Sequence, residues 1–167
     1  MPLKIFLLRH GQAECTFGQS DFDRELTFSG VEQIKRLGQF IFRQKPILTE
    51  LTAAKIVCSP SVRTRQTLEA LMGELNLSDH EGEFVHEIYE ASLDQLLKVI
   101  QKTECSFSRL FLIGHNPAIS YLFDYLTDDH FGNLGPGHFV EVNVSIERWA
   151  QISRGLGSLE TDFINSP

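Results

Sequence analysis

The sequence predicts a single α/β domain in three layers, with a mostly parallel sheet between helices on both faces. Strand and helix patterns alternate along all 167 residues, and neither an internal repeat nor a low-complexity linker interrupts them. A chain of this length can bury a sizeable core as one domain. Since right-handed crossovers point most strands the same way, polar residues that follow the strands should meet at one cleft.

The first part of the chain predicts one strand, a polar loop and one helix. Residues 3–8 (LKIFLL) are mostly apolar and suit a strand that is buried on both faces. A helix is expected from about Ser29 to Gln44, with Ser29 and Glu32 as its capping box. Pro46 should end this helical region. The apolar positions that fit the buried stripe of the helix are Val31, Ile34, Leu37 and Ile41.

The middle of the chain continues this alternation. Residues 55–58 (KIVC) predict a second strand, which Ser59-Pro60 stops. A helix is expected from about Ser61, because the apolar residues that follow recur at helical spacing. Residues 83–88 predict a third strand.

The last part of the chain predicts two helices and two strands. Ser92 and Gln95 form the capping box of the first helix. Residues 110–113 predict a fourth strand, after which Asn116-Pro117 gives an N-cap followed by proline at the first helical position. A turn-rich loop (GNLGPG) leads to a last strand over residues 139–146. Its largely alternating pattern indicates an edge or antiparallel strand.

The composition indicates a soluble protein without a nucleic-acid or membrane partner. A net charge of −7 leaves no basic field that would attract nucleic acid or anionic lipid. The three cysteines lack CxxC spacing and are typical of reduced thiols, with Cys58 buried in its strand. The first apolar run is too short for a signal peptide, and no segment approaches the ~20 apolar residues of a membrane span. We expect a cytoplasmic protein and a monomer.

Polar residues follow four of the predicted strands. They are Arg9-His10-Gly11, Ser59 to Arg63, His86-Glu87 and Gly114 to Pro117. In a mostly parallel sheet these segments would converge on one cleft that holds Arg9 and Arg63, His10 and His115, and the carboxylate of Glu87. Arginine binds anionic oxygens bidentately, and histidine serves as nucleophile or as acid and base, so this set suits phosphate chemistry.

Other chemistries find little support in the sequence. His86 and Glu87 are adjacent and would point to opposite faces of a strand, and no HxxxH pattern or carboxylate cluster is present, so we expect no metal site. Neither of the glycine-rich motifs that bind nucleotide phosphates, GxGxxG and GxxxxGK[ST], occurs in the sequence. We therefore expect no nucleotide and no other cofactor. Trp149 is expected in the core.

Three motifs give the chain a resemblance to the histidine phosphatase superfamily, also called phosphoglycerate mutase-like, and within it to the SixA-type phosphohistidine phosphatases. LLRHGQAE resembles the RHG signature, SPSVRTRQT resembles SPxxRxxQT, and LIGHNP resembles the second-histidine motif of the small members. Asp23 to Thr27 and Tyr89 to Ser92 are also similar to this branch. The resemblance spans nearly the whole chain in the right order, and it implies one histidine phosphatase domain over residues 1–167 with the phosphoglycerate mutase-like fold.

The resemblance implies a cofactor-independent phosphatase that forms a covalent phosphohistidine intermediate. His10 would be the nucleophile, and water would then hydrolyse the intermediate. Arg9 and Arg63 would bind the phosphoryl oxygens, with His115 as a further donor in its cationic form. A neutral imidazole is a good nucleophile near pH 7, which agrees with this role for His10.

Three further residues are candidates for the site. Arg24 and Asn116 are expected to add contacts to the substrate, and a plain surface salt bridge is an equal alternative for Arg24. Glu87 stands about where larger members of the superfamily have their general acid, and the alternative is that Glu87 is only a solvated residue.

Substrate identity is the part of the function that the sequence constrains least. The connections between the motifs are short and predict an open pocket, which favours phosphohistidine on a protein over an enclosed small molecule. Two alternatives stay open, namely a small-molecule phosphomonoesterase or mutase of the same superfamily, and a catalytically idle module that binds phosphoproteins.

Overall fold

The computed structural model describes residues 2–165, which form one mixed sheet and five helices. The strands are β1 (Leu3–Arg9), β2 (Lys55–Cys58), β3 (Glu83–Phe84), β4 (Arg109–Gly114), β5 (Phe139–Val144) and β6 (Gly157–Phe163). The helices are α1 (Phe28–Arg43), α2 (Lys45–Thr52), α3 (Val62–Glu74), α4 (Leu93–Gln101) and α5 (Ala118–Thr127). Single 3₁₀ turns occur at Asp21–Asp23, His86–Ile88 and Trp149–Gln151.

The order of the strands places β1 and β4 side by side in the middle of the sheet. The six strands run in the order β3-β2-β4-β1-β5-β6. The first four are parallel, whereas β5 pairs antiparallel with β1, and β6 pairs antiparallel with β5. In this register Arg9 lies opposite Gly114, so β1 and β4 end at the same level. The residues that follow both strands therefore lie at one edge of the sheet.

Helices cover both faces of the sheet, as the sequence predicts. Successive residues of β1 alternate between two apolar cores: Ile5 and Leu7 belong to one, and Phe6 and Leu8 to the other. The first core packs against α4 and α5, and the second packs against α1, α2 and α3. This confirms the three-layer α/β architecture with a mostly parallel sheet.

The boundaries of the first helical region differ from the prediction. Thr27, and not Ser29, is the N-cap of α1, because the Thr27 hydroxyl accepts a hydrogen bond from the Gly30 amide at 2.9 Å. Pro46 does not end the helical region. It lies in the first turn of α2, where a missing backbone donor costs nothing.

Two strand predictions also need correction. The third strand comprises only Glu83 and Phe84, and the chain then turns through His86–Ile88. The antiparallel prediction for the last segment is confirmed for β5, although this strand ends at Val144 and is not at the edge, since β6 pairs with its outer side. The alternating burial of β6 went unrecognised in the sequence.

Asn116 is not the N-cap of α5, because Pro117 occupies that position. The Asn116 side chain instead accepts a hydrogen bond from Ser120 Oγ at 2.7 Å and donates one to the Leu134 carbonyl at 2.8 Å. Asn116 therefore ties the start of α5 to the loop between α5 and β5.

Two predicted core residues are buried. Trp149 lies in the first core and donates its indole N–H to the Phe107 carbonyl at 2.8 Å. Cys58 lies in the second core, and burial raises the pKa of its thiol to about 12. A thiol with this pKa is unreactive near neutral pH.

Candidate active site

His10 and His115 lie next to each other because β1 and β4 are parallel neighbours. The His10 amide donates to the Gly114 carbonyl at 3.2 Å, and the two imidazole rings are 5.2 Å apart between centroids. Gly11 permits the sharp exit of the chain from β1, since a Cβ atom there would lie 2.7 Å from the Gly30 carbonyl oxygen. The predicted convergence of these two strand ends is therefore present.

The hydrogen bonds of His10 leave one ring nitrogen available for chemistry. Its Nδ1 lies 2.7 Å from the Gly11 carbonyl oxygen, which can only accept, so Nδ1 carries the proton. The other nitrogen, Nε2, is then unprotonated, and its electron pair accepts a hydrogen bond from Arg63 Nε at 3.3 Å. Burial, together with the charges of Arg63 and Arg9, lowers the pKa of His10 to about 4. His10 is thus a neutral imidazole with Nε2 directed at a guanidinium.

Arg63 is buried in the first turn of α3 and is not a surface arginine. Besides its contact with His10, its Nη1 donates to the backbone carbonyl of Asp21 at 2.5 Å, and its Nη2 forms an ion pair with the Asp21 carboxylate at 3.0 Å. The guanidinium therefore bridges β1 and the loop that precedes α1.

Two buried side-chain nitrogens near His10 lack a hydrogen-bonding partner among residues 2–165. Arg9 Nη1 donates to the Leu134 carbonyl at 2.8 Å, but its Nε is buried and unpaired. His115 Nε2 lies 2.6 Å from the Ser59 hydroxyl, and its Nδ1 is likewise buried and unpaired. Buried polar atoms of this kind are costly unless a ligand satisfies them.

His115 differs from the prediction in its charge. Burial, with the neighbouring His10 and Arg63, lowers the pKa of His115 to about 3. The imidazole is therefore neutral in this structure near pH 7, and not the cation that the sequence analysis expected. A neutral imidazole has only one N–H, so its tautomer decides what it offers to a ligand.

The Asp21 carboxylate forms hydrogen bonds with several side chains of the site. The sequence alone did not predict this role. The carboxylate accepts hydrogen bonds from Arg24 Nη1 at 2.9 Å and from the Tyr89 hydroxyl at 2.9 Å, in addition to Arg63. Although burial acts in the opposite direction, these hydrogen bonds lower the pKa of Asp21 to about 2. The Tyr89 ring in turn packs edge-on against His115, with centroids 5.7 Å apart. Arg24 is thus linked to the site indirectly, through its ion pair with Asp21.

Glu87 lies apart from this cluster. It is exposed, and it lines a separate groove with His86, with Gln95 and Lys98 of α4, and with Lys102 just after that helix. Within the described residues, its carboxylate forms no hydrogen bond or ion pair. The third predicted strand end therefore does not bring its carboxylate to the two histidines.

Four further residues belong to the site, and none of them is singled out by the sequence as a site residue: Asp21, Ser59, Thr67 and Tyr89. Ser59 and Thr67 stand inside the SPSVRTRQT motif, and the Thr67 hydroxyl accepts a hydrogen bond from the Gly11 amide at 3.2 Å. Tyr89 opens the Tyr89 to Ser92 segment. The motifs therefore contained a signal for three of these residues, whereas Asp21 stands in the polar loop without one.

The two low histidine pKa values predict a loss of stability on acidification. As the pH falls below about 6.5, the unfolded chain binds protons at His10 and His115. The folded protein does not, since the pKa values there are about 4 and about 3. More protons on the unfolded state mean that the free energy of unfolding falls between pH 6.5 and 4. Urea unfolding at about pH 7 and about pH 5, followed by Trp149 fluorescence, measures this loss.

The matched control for this prediction is a double variant, His10→Ala with His115→Ala. Its loss of stability between the same two pH values should be smaller than that of the wild type, because both depressed pKa values are removed while the carboxylates stay. Equal losses in the two proteins would contradict the prediction.

Comparison with known proteins identifies the family of the chain. The model of the histidine phosphatase superfamily (branch 1) matches residues 5–109, which is more than half of the chain. The chain belongs to this superfamily. No curated protein matches the sequence.

Solved structures share the fold over nearly the whole chain. A protein of Agrobacterium tumefaciens proposed to be the phosphohistidine phosphatase SixA is 20% identical, with a TM-score of 0.80 and 99% of both chains covered. The protein histidine phosphatase SixA complexed with tungstate is 22% identical, with a TM-score of 0.79 and 97% of both chains covered. A mycobacterial glucosyl-3-phosphoglycerate phosphatase is 14% identical, with a TM-score of 0.67, over 96% of this chain and 98% of that chain.

Within residues 2–165, no group of three or more histidine, cysteine, aspartate or glutamate side chains is placed to hold a metal ion. In the same range, no helix combines the length and the apolar character needed to cross a membrane.

Proposed function

We propose that this protein is a phosphatase that transfers a phosphoryl group to His10 Nε2 and then hydrolyses the phosphohistidine, with phosphohistidine on a protein as its substrate. The observation that carries the proposal is the state of His10. Its Nδ1–H donates to the Gly11 carbonyl, and its unprotonated Nε2 lies 3.3 Å from Arg63 Nε. A neutral nucleophile beside a guanidinium is what attack on an anionic phosphorus centre requires.

The first step forms one bond to phosphorus and breaks another. The Nε2 electron pair of His10 attacks phosphorus, while the bond to the leaving imidazole of the substrate breaks and its electron pair stays on that nitrogen. The buried donors of Arg9, Arg63 and His115 stabilise the charge on the phosphoryl oxygens. In the second step water attacks phosphorus and loses a proton to solvent, while the bond from phosphorus to His10 Nε2 breaks with its electron pair returning to Nε2. Inorganic phosphate is released, and His10 is restored.

Two features support a phosphohistidine substrate over an alkyl phosphate. The imidazole of a phosphohistidine substrate leaves with little proton donation, whereas the alkoxide of an alkyl phosphate needs a general acid to protonate it. The carboxylate that pairs with Arg63 beside His10, that of Asp21, has a pKa of about 2 and is ionised near neutral pH, so it holds no proton to donate. The structures named as SixA also superpose on this chain better than the sugar-phosphate phosphatase does.

A substrate panel in the presence of EDTA tests the proposal. The panel comprises a phosphohistidine protein, an alkyl phosphate and p-nitrophenyl phosphate, with release of inorganic phosphate as the measurement. We expect hydrolysis of the phosphohistidine protein to be fastest and to survive exhaustive chelation. Much faster hydrolysis of alkyl phosphates would favour the phosphomonoesterase alternative, and binding of phosphate without any turnover would favour the idle module. Activity that chelation removes and Mg²⁺ or Zn²⁺ restores would contradict metal independence.

Glu87→Gln is expected to have a small effect on both kinds of substrate. Because Glu87 is exposed in a separate groove beside α4, the hydrolysis of phosphohistidine and of an alkyl phosphate should each stay within about threefold of wild type. Steady-state kinetics on the two substrates measure this. A selective fall of about 10²–10⁴-fold with the alkyl phosphate would instead identify Glu87 as the general acid that the sequence suggested.

A further inference from the structure

Ser59 and His115 form an isolated pair beside the nucleophile. Ser59 directly follows β2 and is fully buried, and its hydroxyl lies 2.6 Å from His115 Nε2. Within residues 2–165, that imidazole nitrogen is the one hydrogen-bonding partner of the hydroxyl. The other ring nitrogen, Nδ1, is buried without a partner. The position of the protons in this pair therefore decides what His115 presents to a ligand.

Only two proton arrangements are available to a neutral pair. If Ser59 donates to Nε2, the imidazole proton lies on Nδ1, and a single buried group, the Nδ1–H, lacks a partner. If Nε2–H donates to Ser59 instead, both the buried hydroxyl proton and the bare Nδ1 lack partners. An unsatisfied buried polar group costs about 1–3 kcal/mol, so the arrangement with fewer of them is favoured.

We propose that Ser59 is a positioning residue that holds His115 in its Nδ1–H tautomer, so that the neutral imidazole donates to a phosphoryl oxygen. The identity of this ligand rests on the proposed function. The alternative tautomer would direct a lone pair at an anion, which is repulsive. In this way His115 contributes a donor without first having to become a cation.

The tautomer can be measured directly in the phosphate-free wild-type protein. Histidine ¹⁵N NMR separates a protonated ring nitrogen from a bare one, and the signals of His115 are assigned by their absence in His115→Ala. We expect a protonated Nδ1 and a bare Nε2 near pH 7. A proton on Nε2, or an imidazolium with both nitrogens protonated, would overturn the proposal. This measurement requires no activity, so it can succeed even if the proposed function fails.

A pair of serine variants tests the role of the hydroxyl. Ser59→Ala removes the donor to Nε2, whereas Ser61→Ala removes an equally buried hydroxyl of the same turn that pairs with Thr64 and not with His115. We expect Ser59→Ala to lose the Nδ1–H signature and to bind inorganic vanadate about tenfold more weakly, and Ser61→Ala to change neither. If Ser59→Ala keeps the wild-type tautomer, or if both variants weaken vanadate equally, Ser59 does not position His115.

Discussion

Replacing His10 with alanine is expected to abolish turnover while the fold is retained. His10 is buried but belongs to neither apolar core, so alanine leaves the packing of the sheet intact. The variant loses the ring nitrogen that accepts the hydrogen bond from Arg63 Nε, and loss of a nucleophile lowers kcat by at least about 10³-fold. Release of inorganic phosphate from a phosphohistidine protein measures the loss. Brief incubation with ³²P-labelled substrate should label the wild type with an acid-labile phosphate and leave the variant unlabelled.

The control for this prediction is His86→Ala, which removes an exposed imidazole from the groove beside α4. It should retain wild-type activity and labelling. Circular dichroism and thermal unfolding of both variants test that the fold is kept. Retention of more than a few per cent of wild-type activity by a folded His10→Ala protein would show that the nucleophile lies elsewhere.

Replacing Arg63 with alanine is expected to lower kcat/KM by about 10²–10³-fold and to weaken vanadate inhibition at least about tenfold. Arg63 is buried, contacts His10 Nε2, and is held in place by the backbone and the carboxylate of Asp21. Arg63→Lys should recover little of this loss, because lysine restores the charge but not the planar fork of donors. Steady-state kinetics and the inhibition constant of vanadate measure these effects.

Arg65→Ala is the matched control, two residues further along α3. The Arg65 side chain is exposed, with its guanidinium 3.8 Å from the centroid of the Phe84 ring and its Nε bonded to the Pro60 carbonyl at 2.8 Å. We expect its kcat/KM and its vanadate inhibition to stay near wild type. Similar losses in Arg63→Ala and Arg65→Ala would mean that general positive charge, and not a specific phosphoryl contact, explains the effect.

The sequence by itself determined the layers of the fold and the segments that carry the site. The apolar run of β1, the helical spacing after Ser61 and the capping box at Ser92 are local patterns, and each depends on residues only a few positions apart. The motifs around His10, Arg63 and His115 are local in the same sense. Their convergence followed from the parallel sheet, since strands that run in one direction end at one edge.

Only the tertiary structure decided which side chains complete the site and in what state they are. Asp21 and Arg63 are 42 positions apart, and Ser59 and His115 are 56 positions apart, so no local pattern predicts either pair. Glu87 is a residue that the sequence placed in the site and the tertiary structure did not. The strand β3 ends at Phe84, and the turn that follows places Glu87 in another groove. The neutral form of His115 likewise follows from its burial and from the nearby guanidinium groups of Arg63 and Arg9. Burial and charge depend on all the neighbours in space, and these exist only once the chain has folded.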